Sequence, residues 1–392
     1  MIRITRAAAA AVLVCSLALP AGVATAAVPD RPTTGAPAQA AQAEQAATLP
    51  APTGPYAVGS AVLPLVDRSR TDPWVPTADG RALMVTLHYP AARPGGGRPA
   101  PYATGEEARL LAEQLGPGVS GDVLARTRTH SRTGVGPAPG RHPLVLLSPG
   151  FSVSRWTLTH LAEDLASRGY VVASVDHAYE SYGISLPGGR TLTCVACTAL
   201  EGGVHGSVVT STRAADVRYV LDRLTGPKPV RRYADMIDPR RVGMAGHSIG
   251  GASAASAMVA DPRIDAGINM DGAFWEDLPA EDLRGRPFLM LGTHDGMHLP
   301  GGQDASWDRT WTALDGWKRW ITVAGSEHFT FSDGPVIQRH FGLPQPELPA
   351  DRAVAVTRTY VAAFFDQHLR GLPRPVLDGP TPANPEVHFQ HR

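Results

Sequence analysis

From residue 83 to the end of this 392-residue chain, short apolar runs alternate with segments of helical periodicity, and that alternation restricts the fold more than any other feature. Leu83 to Tyr89 alternates as an early strand, and Leu144-Val145-Leu146-Leu147 reads as a buried one. A helix is expected over 156–168, where Leu158, Leu161 and Leu165 share a face, and residues 170–175 (YVVASV) return as a strand. Residues 212–224 read as a helix with Val217, Val220 and Leu221 inward. Strands are then expected over 264–270, 288–291 and 321–323, and a closing helix over 353–369 carries Val356, Tyr360, Phe364 and Phe365 on one side. Such alternation predicts an α/β fold, a mainly parallel central sheet with helices on both faces.

Between the 212–224 helix and the 264–270 strand stands the most informative motif. Arg241-Val242-Gly243-Met244-Ala245 runs as a short apolar strand into Gly246-His247-Ser248-Ile249-Gly250, and residues 251–260 (GASAASAMVA) read as a helix of small residues. The pattern G-x-S-x-G arises by chance in glycine-rich chains. Its strand-turn-helix setting makes it a nucleophile elbow. The glycines are needed because the serine stands on strained backbone with no room for neighbouring Cβ atoms.

A serine hydroxyl attacks only when a base takes its proton, and in this architecture the acid and then the histidine follow the serine along the chain. His328, in Gly325-Ser326-Glu327-His328, comes directly after the 321–323 strand and is the expected base; His388 and His391 lie in a polar tail. Two acids are candidates. Asp271 ends the 264–270 strand and Asp295 follows the 288–291 strand, both at strand carboxyl ends, where the active groups of open α/β sheets gather. Spacing does not choose between them. The turn Ser148-Pro149-Gly150-Phe151 leaves a strand end just before a helix, so the Phe151 N–H, beside that of Ile249, is the expected oxyanion hole.

Composition sets the surroundings. Lys plus Arg (36) equals Asp plus Glu (36), which gives no electrostatic case for nucleic acid or an anionic membrane as partner. Arg3 and Arg6 before the apolar run 7–19, with small residues at 24–26, read as a secretory signal over 1–26, too short to remain as a membrane span. Residues 27–54, rich in Ala, Pro, Gln and Thr, read as a flexible linker, and 55–392 as one catalytic domain of a secreted, monomeric protein. Cys15 leaves with the signal, and Cys194 and Cys197 are expected to form a small structural disulfide. Two long inserts, 103–139 with a helix expected over 106–114, and 179–208, are covers over a site or surface loops. Trp307, Trp311, Trp317 and Trp320 either pack in the core or line an acyl pocket. Neither a phosphate loop nor a dinucleotide fingerprint is present, and His294 and His298 lack further ligands, so no cofactor or metal is expected.

The set Ser148-Pro149-Gly150-Phe151, Asp176-His177, Gly246-His247-Ser248-Ile249-Gly250-Gly251-Ala252 and Ile268-Asn269-Met270-Asp271 resembles the secreted platelet-activating-factor acetylhydrolases, a family of α/β-hydrolases. The likeness extends from Pro52 to about His328. It implies Asp271 as the acid and His328 as the base. The chain is also similar to bacterial polyester hydrolases and cutinase-like lipases, a likeness that implies Asp295 instead. The run Asn-Met-Asp-Gly favours Asp271. One departure bears on substrate: the acetylhydrolases often carry His-Gly at the oxyanion turn, where Ser148-Pro149-Gly150 stands here. The resulting expectation is a serine hydrolase of small-molecule or lipid carboxylic esters, working through an acyl-enzyme. The alternatives are an acyltransferase or a polyester hydrolase on the same scaffold.

Overall fold

A computed structural model describes residues 45–278 and 283–391; the signal segment, Cys15 and most of the linker fall outside the described residues. Along the chain the strands are β1 (Val58–Asp67), β2 (Arg81–Pro90), β3 (Arg98–Pro99), β4 (Arg132–Thr133), β5 (His142–Ser148), β6 (Val171–His177), β7 (Ile184–Ser185) and β8 (Thr191–Leu192). Then follow β9 (Ile237–His247), β10 (Ala266–Met270), β11 (Phe288–Thr293), β12 (Lys318–Val323) and β13 (Val387–Phe389). Apart from the β7–β8 hairpin, they form one sheet in the order β13-β12-β11-β10-β9-β5-β6-β2-β1-β4-β3.

The centre of that sheet, β6-β5-β9-β10-β11-β12, is parallel throughout, and the flanking pairs β1–β2, β2–β6 and β12–β13 are antiparallel. Each central strand alternates between two cores. Leu144, Leu146, Phe288 and Met290 face one side, packing with Val217, Val220 and Leu221 of the Gly206–Thr225 helix. Val145, Leu147, Leu289 and Leu291 face the other, against Leu161 and Leu165 of the Thr159–Ser167 helix and Val356, Tyr360 and Phe364 of the Ala350–Arg370 helix. Burial on both faces is why these strands read as unbroken apolar runs.

From β5 the chain steps to β6 on one side, and β9 lies on the other. That reversal leaves a crevice at the carboxyl ends of β5 and β9, the place where open α/β sheets bind ligands. The register lines those ends up: Ser148 lies opposite Gly246, His247 opposite Met270, Met270 opposite Leu291, and Thr293 opposite Val323.

One expectation needs correcting. Residues 45–54, read as the end of a flexible linker, are part of the fold. Ala47 and Leu49 are buried with Tyr102, Leu124 and Trp156. Leu49 N–H bonds the Arg128 carbonyl at 3.0 Å, and Arg358 holds the carbonyls of Pro50 and Ala51 at 2.9 and 2.7 Å. Two apolar side chains and hydrogen bonds to Arg128, Asp164 and Arg358 anchor a segment whose composition predicts disorder. In the inserts the helix expected over 106–114 is present, and further elements accompany it. The first holds helices Gly105–Leu115 and Gly121–Ala125. The second holds the β7–β8 hairpin and the Val195–Glu201 helix, capped by the Cys194–Cys197 disulfide (S–S 2.06 Å), and the next helix starts at Gly206. Trp307 and Trp320 are wholly buried, which places them in the core and not in an acyl pocket.

Candidate active site

Ser248 stands between β9 and the Ile249–Ala260 helix with φ 55° and ψ −130°, a left-handed backbone that a β-branched or bulky residue rarely adopts. Its amide bonds the Met270 carbonyl at 2.7 Å. A Cβ on Gly246 would come within 2.1 Å of the Gly250 backbone, and one on Gly250 within 2.2 Å of the Ser148 carbonyl oxygen. Both glycines of the elbow are therefore steric requirements, and the second lets the helix pack onto the turn after β5.

Asp271, the first candidate acid, stands one strand over. Asp271 follows β10 with φ 62°, and Asn269 braces the turn behind it by donating to and accepting from the Gly272 backbone at 2.7 and 2.9 Å. Trp307 Nε1 adds a bond to the Gly272 carbonyl at 2.9 Å, so part of the tryptophan cluster supports this loop. The buried Asp271 carboxylate accepts the Thr293 amide on Oδ1 at 2.6 Å and His328 Nδ1 on Oδ2 at 2.7 Å. Burial alone would raise its pKa. The His328 hydrogen bond, the nearby His298 imidazole and the Thr293 amide outweigh that and hold the carboxyl below its usual range.

His328 comes after β12, and its side chain is 43% exposed. An ionised Asp271 accepts from Nδ1–H, which leaves the Nε2 lone pair toward Ser248; the Ser248 hydroxyl donates to it at 3.0 Å. Burial opposes the imidazolium, but the hydrogen bond and charge of Asp271 overcome this and raise the pKa above the ordinary 6.5. His247, inside the elbow, was not singled out from sequence. It is buried and held neutral, with a pKa of about 3 from burial and the adjacent His328, and its Nε2 bonds the His328 carbonyl at 2.6 Å. Phe329 rests beside both rings, 5.4 Å from that of His328 and 5.6 Å from that of His247, and keeps an apolar face exposed.

Asp295, the alternative acid, is not brought to His328. It accepts from Thr293 Oγ1 at 2.9 Å, and from the His298 amide and Nδ1 at 3.0 Å each, in a loop beyond β11. Its contact with the site is indirect, through the residue whose amide grips Asp271. The turn Ser148–Phe151 lies against the elbow, and Ile249 opens a helix whose first amides have no acceptor within it. Among the described residues, no group of three or more His, Cys, Asp or Glu could hold a metal ion. What sequence reasoning missed is a buried charged layer under that turn, comprising Arg81, His177, Glu180, Arg213 and Asp216. Its members come from five separate positions on three elements and a loop, so no local pattern announces it.

Comparison with known proteins supplies the family. Residues 41–186 match the family described as platelet-activating factor acetylhydrolase, isoform II. A probable 1-alkyl-2-acetylglycerophosphocholine esterase of Arthroderma benhamiae is 30% identical over 87% of this chain and 93% of its own. The platelet-activating factor acetylhydrolase of Gallus gallus is 22% identical over 83% and 85%. Among solved structures, the ferulic acid esterase from Streptomyces cinnamoneus superposes with a TM-score of 0.79 at 47% identity, covering 88% of this chain and 99% of that one.

Proposed function

The chain belongs to the platelet-activating factor acetylhydrolase, isoform II, family and is a carboxylic ester hydrolase of α/β-hydrolase fold, and from that premise we propose that it is an exported serine esterase with Ser248 as nucleophile, His328 as base and Asp271 as the acid that orients it. The observation that carries this reading is the hydrogen-bonded run from Asp271 through His328 to Ser248 at the aligned strand ends. His328 Nε2 takes the hydroxyl proton as Ser248 Oγ attacks the ester carbonyl carbon. The amides of Phe151 and Ile249 receive the charge that develops on the carbonyl oxygen. The intermediate collapses, the bond to the alcohol breaks, and the imidazolium returns its proton to the leaving oxygen. Water, deprotonated by His328, then releases the acid from the acyl-enzyme.

One chain supplies every group, so a monomer suffices. Export rests on the pattern of residues 1–26 and accords with the Cys194–Cys197 disulfide. No helix among the described residues is long and apolar enough to cross a membrane. The 47% identity to a ferulic acid esterase, and Ser148-Pro149-Gly150 where acetylhydrolases often carry His-Gly, favour an ester of an aromatic acid over a phospholipid.

The test is a panel of methyl ferulate, p-nitrophenyl esters of rising acyl length, 1-alkyl-2-acetylglycerophosphocholine and a polyester film. The highest kcat/KM is expected on methyl ferulate. Preference for the phospholipid or the film would overturn the substrate ranking. Dominant acyl transfer to an added alcohol would instead make the protein an acyltransferase.

The pH profile is a second test. Attack requires the neutral imidazole, so kcat/KM falls as pH drops through the free-enzyme pKa of His328, which lies above 6.5. An acid limb centred well below 6.5 would contradict the Asp271–His328 pairing.

A further inference from the structure

Directly beneath the turn Ser148–Phe151 lies a second Ser-His-Asp series that cannot meet substrate. Ser148, His177 and Asp216 are each at most 2% exposed. Ser148 ends β5, His177 ends β6, and Asp216 comes from the Gly206–Thr225 helix. Asp216 accepts His177 Nδ1–H at 2.8 Å, so His177 Nε2 is the acceptor for the Ser148 hydroxyl at 2.9 Å. Burial and the charge of Arg213 lower the His177 pKa, which keeps the ring neutral in that tautomer. The Ser148 oxygen in turn accepts Arg213 Nη1 at 3.2 Å.

The layer is balanced in charge. Arg81 donates to Asp216 at 2.8 Å, to Glu180 at 2.7 Å and to Asp72 at 3.1 Å, and Arg70 also pairs with Asp216. Arg213 Nε pairs with the second oxygen of Glu180 at 2.7 Å. Every carboxylate is thus matched, which is the condition for keeping charges this deep.

Besides the bonds to the Ser148 hydroxyl, two bonds run from this layer to the backbone of the turn and of the residue after it. Arg213 Nη1 donates to the Pro149 carbonyl at 2.5 Å, and the Glu180 carbonyl accepts the Ser152 amide at 2.9 Å. The Ser152 carbonyl then accepts the Tyr182 amide at 2.8 Å. These anchors lie on either side of Gly150 and Phe151, and the Arg213–Glu180 ion pair ties them together. Gly150 has no Cβ to restrict its two dihedrals, so without the clamp the peptide carrying the Phe151 N–H is free to turn. An oxyanion donor is useful only when held where the charge will appear.

We infer that Ser148, His177, Arg213 and Glu180 are positioning residues that clamp the Phe151 amide as an oxyanion donor. The inference rests on the Ser248 reading above and names what holds its oxyanion hole in place. The clamp acts when the carbonyl oxygen becomes negative and contributes little to binding the uncharged ester.

The experiment compares Ser148→Ala and Arg213→Lys with the unaltered full-length protein on a p-nitrophenyl ester. It measures kcat, KM, the pH profile and inhibition by a boronic acid that forms a tetrahedral adduct on the serine. Lysine keeps the charge of Arg213 but cannot reach Glu180 and Pro149 with fixed parallel donors. Removing an oxyanion donor outright costs about 100-fold to 1000-fold in kcat, and a misaimed one is expected to cost roughly tenfold to 100-fold. We expect kcat to fall by that factor with KM little changed, the boronate inhibition constant to rise by the same factor, and the acid limb of His328 to stay in place. If Arg213→Lys does not fold, Ser148→Ala, which removes one hydroxyl, still decides the matter. Unchanged kcat and boronate affinity in the folded variant would overturn the inference, as would a rise in KM alone. Ser248→Ala, assayed alongside, separates the two readings: if it stays active, the reading of Ser248 as nucleophile fails, whatever the clamp variants do.

Discussion

Ser248→Ala is expected to lower kcat by about a million-fold, the scale at which removing the nucleophile of a serine triad leaves only binding and oxyanion stabilisation. The loss is chemical, because alanine fits the same space and meets the same φ of 55° that serine already tolerates. The hydrogen bond that the residue 248 N–H donates to the Met270 carbonyl and the packing of Gly250 on the Ser148 carbonyl involve no side-chain oxygen. Thermal unfolding of the variant should therefore match the parent. A fall in activity together with a collapse in Tm would mean that the serine hydroxyl serves the fold instead.

Asp271→Asn carries the second large effect, about 10,000-fold in kcat, by reversing the tautomer of His328. The Thr293 amide points at Oδ1 from 2.6 Å and tolerates only an acceptor there. Asparagine must place its carbonyl oxygen on Thr293, which turns its NH2 toward His328 Nδ1. The imidazole then carries its proton on Nε2 and presents a donor to Ser248 where an acceptor is needed. The acid limb of kcat/KM should also move down, since the charge that raises the His328 pKa is gone. Asp295→Asn should leave kcat nearly unchanged, because Asp295 meets Thr293 and His298 and not the base. If the Asp295 variant were the inactive one of the pair, the assignment of the acid would be wrong.

These residues were unequally legible in the sequence. The parallel centre of the sheet is visible because burial on both faces writes β5, β6, β10 and β11 as apolar runs. The elbow is visible because Gly246 and Gly250 are forced by sterics within five residues. His328 follows from chain order together with its place directly after the 321–323 strand. The choice between Asp271 and Asp295 needs the register: both end strands, but β10 lies directly beside the elbow strand and β11 one step farther away. β1 escaped a reading by periodicity because Pro64 interrupts it; the structure keeps that proline exposed while Leu63 and Leu65 turn inward. The clamp under the turn Ser148–Phe151 was illegible because His177 and Arg213 meet Ser148, and Glu180 meets Arg213, only once the Gly206–Thr225 helix packs beneath β5 and β6.

The central claim is that Ser248 becomes covalently acylated with His328 as its base, and active-site labelling tests it most directly. The protein is treated with a fluorophosphonate, digested, and the modified peptide located by mass spectrometry. The account predicts one phosphonate on Ser248, lost in Ser248→Ala and strongly slowed in His328→Ala. A label on any other residue, or full hydrolytic activity in protein whose Ser248 has been blocked, would contradict it.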